Sequence, residues 1–184
     1  METRRPRVKS QLISRYDLPT ERVLGSGASP ARLEEDEASP DEEAKMNDPF
    51  DLQRFVEAQE PVYQRVCAEL RAGRKETHWM WFIFPQIAGL GRSATAQRFA
   101  LASREEAHAY ARHPVLGARL KECAELVSRA RARTAHEIFG GVDEMKFRSS
   151  MTLFAHAAPD IPVFKECLDE FFGGEPDAAT LERL

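Results

Sequence analysis

From Phe50 to the end of the chain, apolar residues recur every three or four positions, and no stretch alternates apolar with polar long enough to make a strand face. That spacing lines apolar side chains along one side of a helix and leaves helix-on-helix packing as the way to bury them. Phe55, Val62, Val66 and Leu70 share a face that Pro61 interrupts and Gly73 closes. Ser93 is placed to cap a short helix through Phe99, and Ser103 with Glu106 has capping-box spacing for a helix ending at Arg112. Pro114 opens the strongest stripe, formed by Leu116, Leu120, Cys123, Val127 and Ala130. Thr134 caps a turn that Gly140 and Gly141 end, and Asp143 is expected to cap a helix to about His156. Ile161 to Phe172 forms another helix, stopped by Gly173 and Gly174, and Asp177 caps the last piece.

One run does not follow the stripe. Residues 79–84, WMWFIF, have the aromatic and β-branched content of a buried strand, but no second such run exists to pair with it. At about 100° per residue, six consecutive apolar side chains cover every side of a helix, the mark of a buried one. The segment is therefore expected to be a central helix ended by Pro85. The fold class is all-α: a compact multi-helix domain around a central hydrophobic helix, preceded by a disordered tail.

That tail spans residues 1–47. Net charge is +3 over residues 1–24 and −6 over residues 25–48, with few apolar residues and no sustained period. Such a stretch cannot bury enough surface to offset the entropy of ordering it. An organellar leader would be Arg-rich in this way, but Glu2, Asp17 and Glu21 count against one. Met46 is expected to be the true start of translation, because a helix is expected to begin just after it with Asn47 or Asp48 as cap and Pro49 at the first helical position. Residues 48–184 form the helical domain.

The 184-residue chain has a net charge of −4, and residues 49–184 alone are nearly neutral at −1. A duplex-nucleic-acid binder relying on bulk positive charge is disfavoured. The basic helix from Arg119 to Arg133 carries a local +3 and reads first as a solvated face, with a surface for RNA or an acidic protein partner as the alternative. No apolar run is long enough to span a bilayer. The three cysteines, Cys67, Cys123 and Cys167, lie far apart on apolar stripes, the pattern of reduced core residues in a cytoplasmic protein.

The strings DPFDLQRFVEAQ, HWMWFIFPQIAGLG, HPVLGARL and KFRSSMTLFAHA resemble the domain-of-unknown-function 1810 family, a mainly bacterial, all-helical group. The resemblance covers about residues 48–184 and leaves the tail outside. It implies a fold and a set of motif positions: Lys75, His78, Trp79, Trp81, Phe82, Pro85, Gln86, Gly89, Gly91, His113, Pro114, Asp143, Lys146, Ser149, Ser150 and Phe154. It brings no activity, cofactor or partner with it.

Chemistry is sought where polar residues are forced inward. On a helical projection from Asp143, Phe154, Phe147 and Met151 fall at about 20°, 40° and 80°, with Leu153, Lys146 and Ser150 at about 280°, 300° and 340°. Asp143, Lys146 and Ser150 thus sit within the apolar arc, while Glu144, Arg148, Thr152 and His156 take the solvated side. A lysine on a core-facing stripe must snorkel, pair with Asp143 three residues back, or reach a cavity holding an anion. Lys75, His78 and Phe82 share a side of the central segment with Trp79 close by, and Gln86 follows Pro85. The loop Gly89–Ser93, with Arg92, offers backbone donors at a helix start but has neither P-loop nor dinucleotide-binding spacing.

Candidate catalytic residues are accordingly His78 as proton carrier, Lys146 as electrophile or anion anchor, and Ser150, although a Ser/Lys pair in this order reverses the S-x-x-K motif. Candidate ligand-binding residues are Lys75, Trp79, Gln86, Gly91, Ser93, Asp143 and Ser149. The five histidines lack metal-binding spacing, so no metal or other cofactor is expected. The leading expectation is a partly buried polar pocket for a small anionic, nucleotide-like ligand, with acid–base hydrolysis as its chemistry. The competing expectation is a non-catalytic helical interaction module whose buried polar residues only specify packing.

Overall fold

A computed structural model describes residues 48–184; the expected disordered tail and the proposed start at Met46 lie outside those residues. Within them the apolar periodicity becomes ten helices. The first five are α1 (Gln53–Gln59), α2 (Tyr63–Arg71), α3 (Met80–Ile83), α4 (Ala94–Arg98) and α5 (Arg104–Arg112). They are followed by α6 (Leu116–Arg129), α7 (Ala135–Phe139), α8 (Gly141–Ala157), α9 (Val163–Phe172) and α10 (Ala178–Leu181). The described residues contain no strand, only a parallel bridge between Ile87 and Leu101. None of these helices is long and apolar enough to cross a membrane.

The ends of the helices follow the side chains that satisfy them. The Asp48 carboxylate accepts from the Leu52 and Gln53 amides at 2.8 Å each, ahead of α1. Ser93, Ser103, Thr134 and Asp177 cap α4, α5, α7 and α10 by accepting a backbone N–H with their side chains. At Thr134 the box is complete, with Glu137 accepting from the Thr134 amide. At Ser103 it is half a box, because Glu106 turns instead to the Ala102 amide and the Arg54 guanidinium. Gly73 and Gly173 stop α2 and α9 with positive φ, where a Cβ is disfavoured.

The 17-residue α8 packs against α5, α7, α9 and α10, while α6 packs against α2, α5 and α9. The core between them is aromatic. Phe147 stacks on Phe139 at 4.7 Å and meets Phe84 edge-on at 5.0 Å, and Phe154 lies 5.5 Å from both Tyr110 and Phe164. Cys67, Cys123 and Cys167 are free and buried in this core, as their stripes predict.

Several local expectations are corrected. Residues 79–84 form only the single turn α3, and it is not covered on every side: Trp79, Met80, Ile83 and Phe84 are buried, but Trp81 and Phe82 are half-exposed. Asp143 does not cap α8, which begins two residues earlier at Gly141; its carboxylate takes up lysines instead. Thr152 is not on a solvated face but fully buried, because the chain after α9 folds back over it. The helices expected to open at Pro49 and Pro114 start at Gln53 and Leu116.

Candidate functional site

The site is assembled from the turn between α2 and α3. Glu69, on α2 and buried, accepts from the amides of Glu76 (2.8 Å) and Thr77 (3.1 Å), the Thr77 hydroxyl (2.6 Å) and the Trp79 indole N–H (2.8 Å). Burial by itself would raise its pKa, but the four donors outweigh burial and hold the carboxyl below its ordinary value. This clamp shapes residues 74–79. The Lys75 amide donates to the Ile138 carbonyl at 2.7 Å, which sets its side chain against the first turn of α8.

There Lys75 meets Asp143. Its ammonium lies 2.7 Å from Asp143 Oδ2, while Lys146, one turn further along α8, reaches Asp143 Oδ1 at the same distance. Lys75 is 9% exposed, Asp143 18% and Lys146 21%, so the cluster is shielded from solvent without being sealed. Each cation also lies over an indole, Lys75 at 5.2 Å from the Trp79 ring centre and Lys146 at 4.7 Å from that of Trp81. Burial pushes the Asp143 pKa up, but the hydrogen bonds and charges of Lys146 and Lys75 prevail and keep it below the usual carboxylate range. Two ammonium groups thus share one carboxylate, leaving a net positive charge.

On the far side of Lys146 a cavity of about 390 Å³ opens. α8 supplies Val142, Met145, Lys146 and Ser149 to its wall, α3 supplies Trp81, and residues 86–96 supply Gln86, Leu90, Gly91, Arg92, Ser93 and Ala96. Asp177 and Ala179 close it from the C-terminal segment. That segment is strapped down by Arg148, which donates to the carbonyls of Glu175 (2.9 Å) and Pro176 (3.3 Å), and by the Asp177 amide, which donates to the Thr152 hydroxyl at 2.9 Å. Gly91 is needed for approach rather than for φ, since a Cβ there would lie 2.4 Å from that of Ala96.

Of the residues singled out in the sequence, Lys146, Gln86, Gly91, Ser93 and Ser149 line this cavity, with Lys75 and Asp143 behind Lys146. Three do not join them. His78 is exposed and outside the lining; Trp79 is fully buried with its N–H committed to Glu69; Ser150 is fully buried with its hydroxyl lacking any partner. The loop Gly89–Ser93 gives the cavity part of its wall, and the Ser93 hydroxyl accepts the Ala96 amide at 3.1 Å. Sequence reasoning missed Val142 and Met145. Their signal is the stripe 142–145–146–149, which on the projection spans about 200° to 300°, beside the core-facing arc.

Along the basic stretch Arg119–Arg133, part of the charge is paired within the domain. Arg119 pairs with Glu60, and both Lys121 and Arg129 lie against Glu125. Among the described residues no cluster of three or more His, Cys, Asp or Glu stands close enough to hold a metal ion.

Fold and site together define an all-helical domain with a cation-bearing cleft walled by its longest helix. Residues 49–184 match the family described as "Protein of unknown function (DUF1810)", and the chain belongs to that family. The chain is similar to a solved structure, the conserved hypothetical protein Rv1873 from Mycobacterium tuberculosis, at 52% identity and a TM-score of 0.73; the match covers 74% of this chain and 98% of that one. Comparison with curated proteins finds no match.

Proposed function

We propose that the cleft between α3, α8 and the C-terminal segment binds a small organic anion. The observation that supports this is the sharing of Asp143 by Lys75 and Lys146, which leaves one positive charge, half-shielded, on the wall of the cavity. A partly desolvated charge without its own counter-charge is costly, and a bound anion supplies the missing partner. The cavity volume lies in the range that holds small ligands. His78 and Ser150 stand outside the cavity, so the reading is one of binding, with no proton transfer or hydrolysis assigned to them.

Melting curves in dilute chloride buffer test it. The reading expects at least one of inorganic phosphate, AMP and 3-phenylpropionate to raise the melting temperature by several degrees, since a ligand at 100 times its Kd contributes about 2.7 kcal/mol. In Lys146→Met the shift disappears. If none of these anions moves the melting temperature, the cluster serves packing alone and the interaction-module reading stands.

A further inference from the structure

Resting on that reading, we infer that the ligand is an amphipathic monoanion, with one carboxylate-like head at Lys146 and an apolar, ring-bearing body lying over Met145 and Val142. Charge sets the head. Lys75, Arg92 and Lys146 stand against Asp143 and Asp177 in and behind the cavity, which leaves one uncompensated positive charge. A doubly charged phosphate monoester would bring one negative charge too many into a site that already holds two carboxylates.

The walls set the body. Trp81, Leu90, Ala96 and Ala179 make the interior largely apolar, and at its mouth Val142 and Met145 stand 66% and 65% exposed. Large apolar side chains so exposed, on the first turns of the longest helix and continuous with a cavity, mark a contact surface. A ligand confined to its charged head would leave them in water. A longer one covers them, and the flexible thioether of Met145 adapts to an aromatic ring. One face of the Trp81 indole is already taken by the Lys146 ammonium, which directs the body outward along α8.

Two sources offer this chemistry: a free aryl or acyl carboxylate, and the terminal carboxylate of a peptide ending in an aromatic residue. Calorimetric titration with acetate, 3-phenylpropionate, 3-phenylpropanamide, N-acetyl-Ala-Phe and AMP separates them. 3-Phenylpropionate is expected to bind at least tenfold more tightly than acetate, which has no body, than the amide, which has no charge, and than AMP. Met145→Gln is expected to weaken 3-phenylpropionate several-fold with the urea midpoint unchanged. Tighter binding of the dipeptide assigns the site to chain ends, and weaker binding assigns it to free acids; both keep the amphipathic monoanion. Equal or tighter binding of acetate or AMP, or an indifferent Met145→Gln, overturns this inference while leaving anion binding intact. If no anion binds the wild-type protein, both fall.

Discussion

At Glu69 a carboxylate is held in the interior by four neutral donors, and among the described residues no lysine or arginine pairs with it. Charge-assisted hydrogen bonds to a buried acceptor are the strong ones, and removing the charge leaves the donors poorly paired. Glu69→Gln is therefore expected to cost about 2–3 kcal/mol in urea unfolding. The pH dependence has a definite sign. The folded-state pKa lies below the ordinary 4.5, so the folded protein binds this proton less readily than the unfolded chain. The stability Glu69 contributes is complete above the unfolded value and is lost as pH falls through the lower folded one. The acid limb of the stability curve should be shallower in Glu69→Gln than in the wild type, and an unchanged limb would show that the donors do not hold the charged form.

The cleft depends on how closely its elements approach. Residues 89–93 and α4 meet at Gly91 and Ala96, and adding a methyl group to Gly91 forces the two apart. Gly91→Ala is expected to destabilise by about 1–3 kcal/mol, the range for overpacking. Because the conflict is with the Ala96 methyl, Gly91→Ala combined with Ala96→Gly should cost less than the two single changes added together. Strict additivity in unfolding midpoints would place the cause in backbone conformation. At this scale the sequence was legible wherever a local rule decides. The caps at Ser93, Thr134 and Asp177, the break at Pro61 and the stop at Gly173 all fall where side-chain chemistry put them. Residues 79–84 were misread as sealed on all sides because hydrophobicity does not say which face meets a cavity. Asp143 was misread as a cap because α8 starts two residues earlier, at Gly141, and because one of its two lysine partners, Lys75, is remote in sequence.

For the molecule as a whole, helical periodicity carried the fold class, and the inward position of Lys146 on the projection carried the site. What periodicity could not carry was convergence. His78 and Ser150 are motif positions just as Lys75 and Lys146 are, yet one turns to solvent and the other into the aromatic core. Spacing along one helix fixes a direction; only the packing of several helices fixes a meeting point. The central claim is that Lys75 and Lys146 share the one carboxylate of Asp143 and so leave a net positive charge beside a cavity that Lys146 lines with the Trp81 indole. Tryptophan fluorescence reads this directly, because the protein has two tryptophans and the other, Trp79, is buried. In the wild-type protein, titration with 3-phenylpropionate is predicted to give a saturable change in tryptophan emission that Trp81→Phe and Lys146→Met each abolish and the surface control Lys121→Met leaves intact. Emission that never saturates, or that responds equally with and without Lys146, would contradict the account.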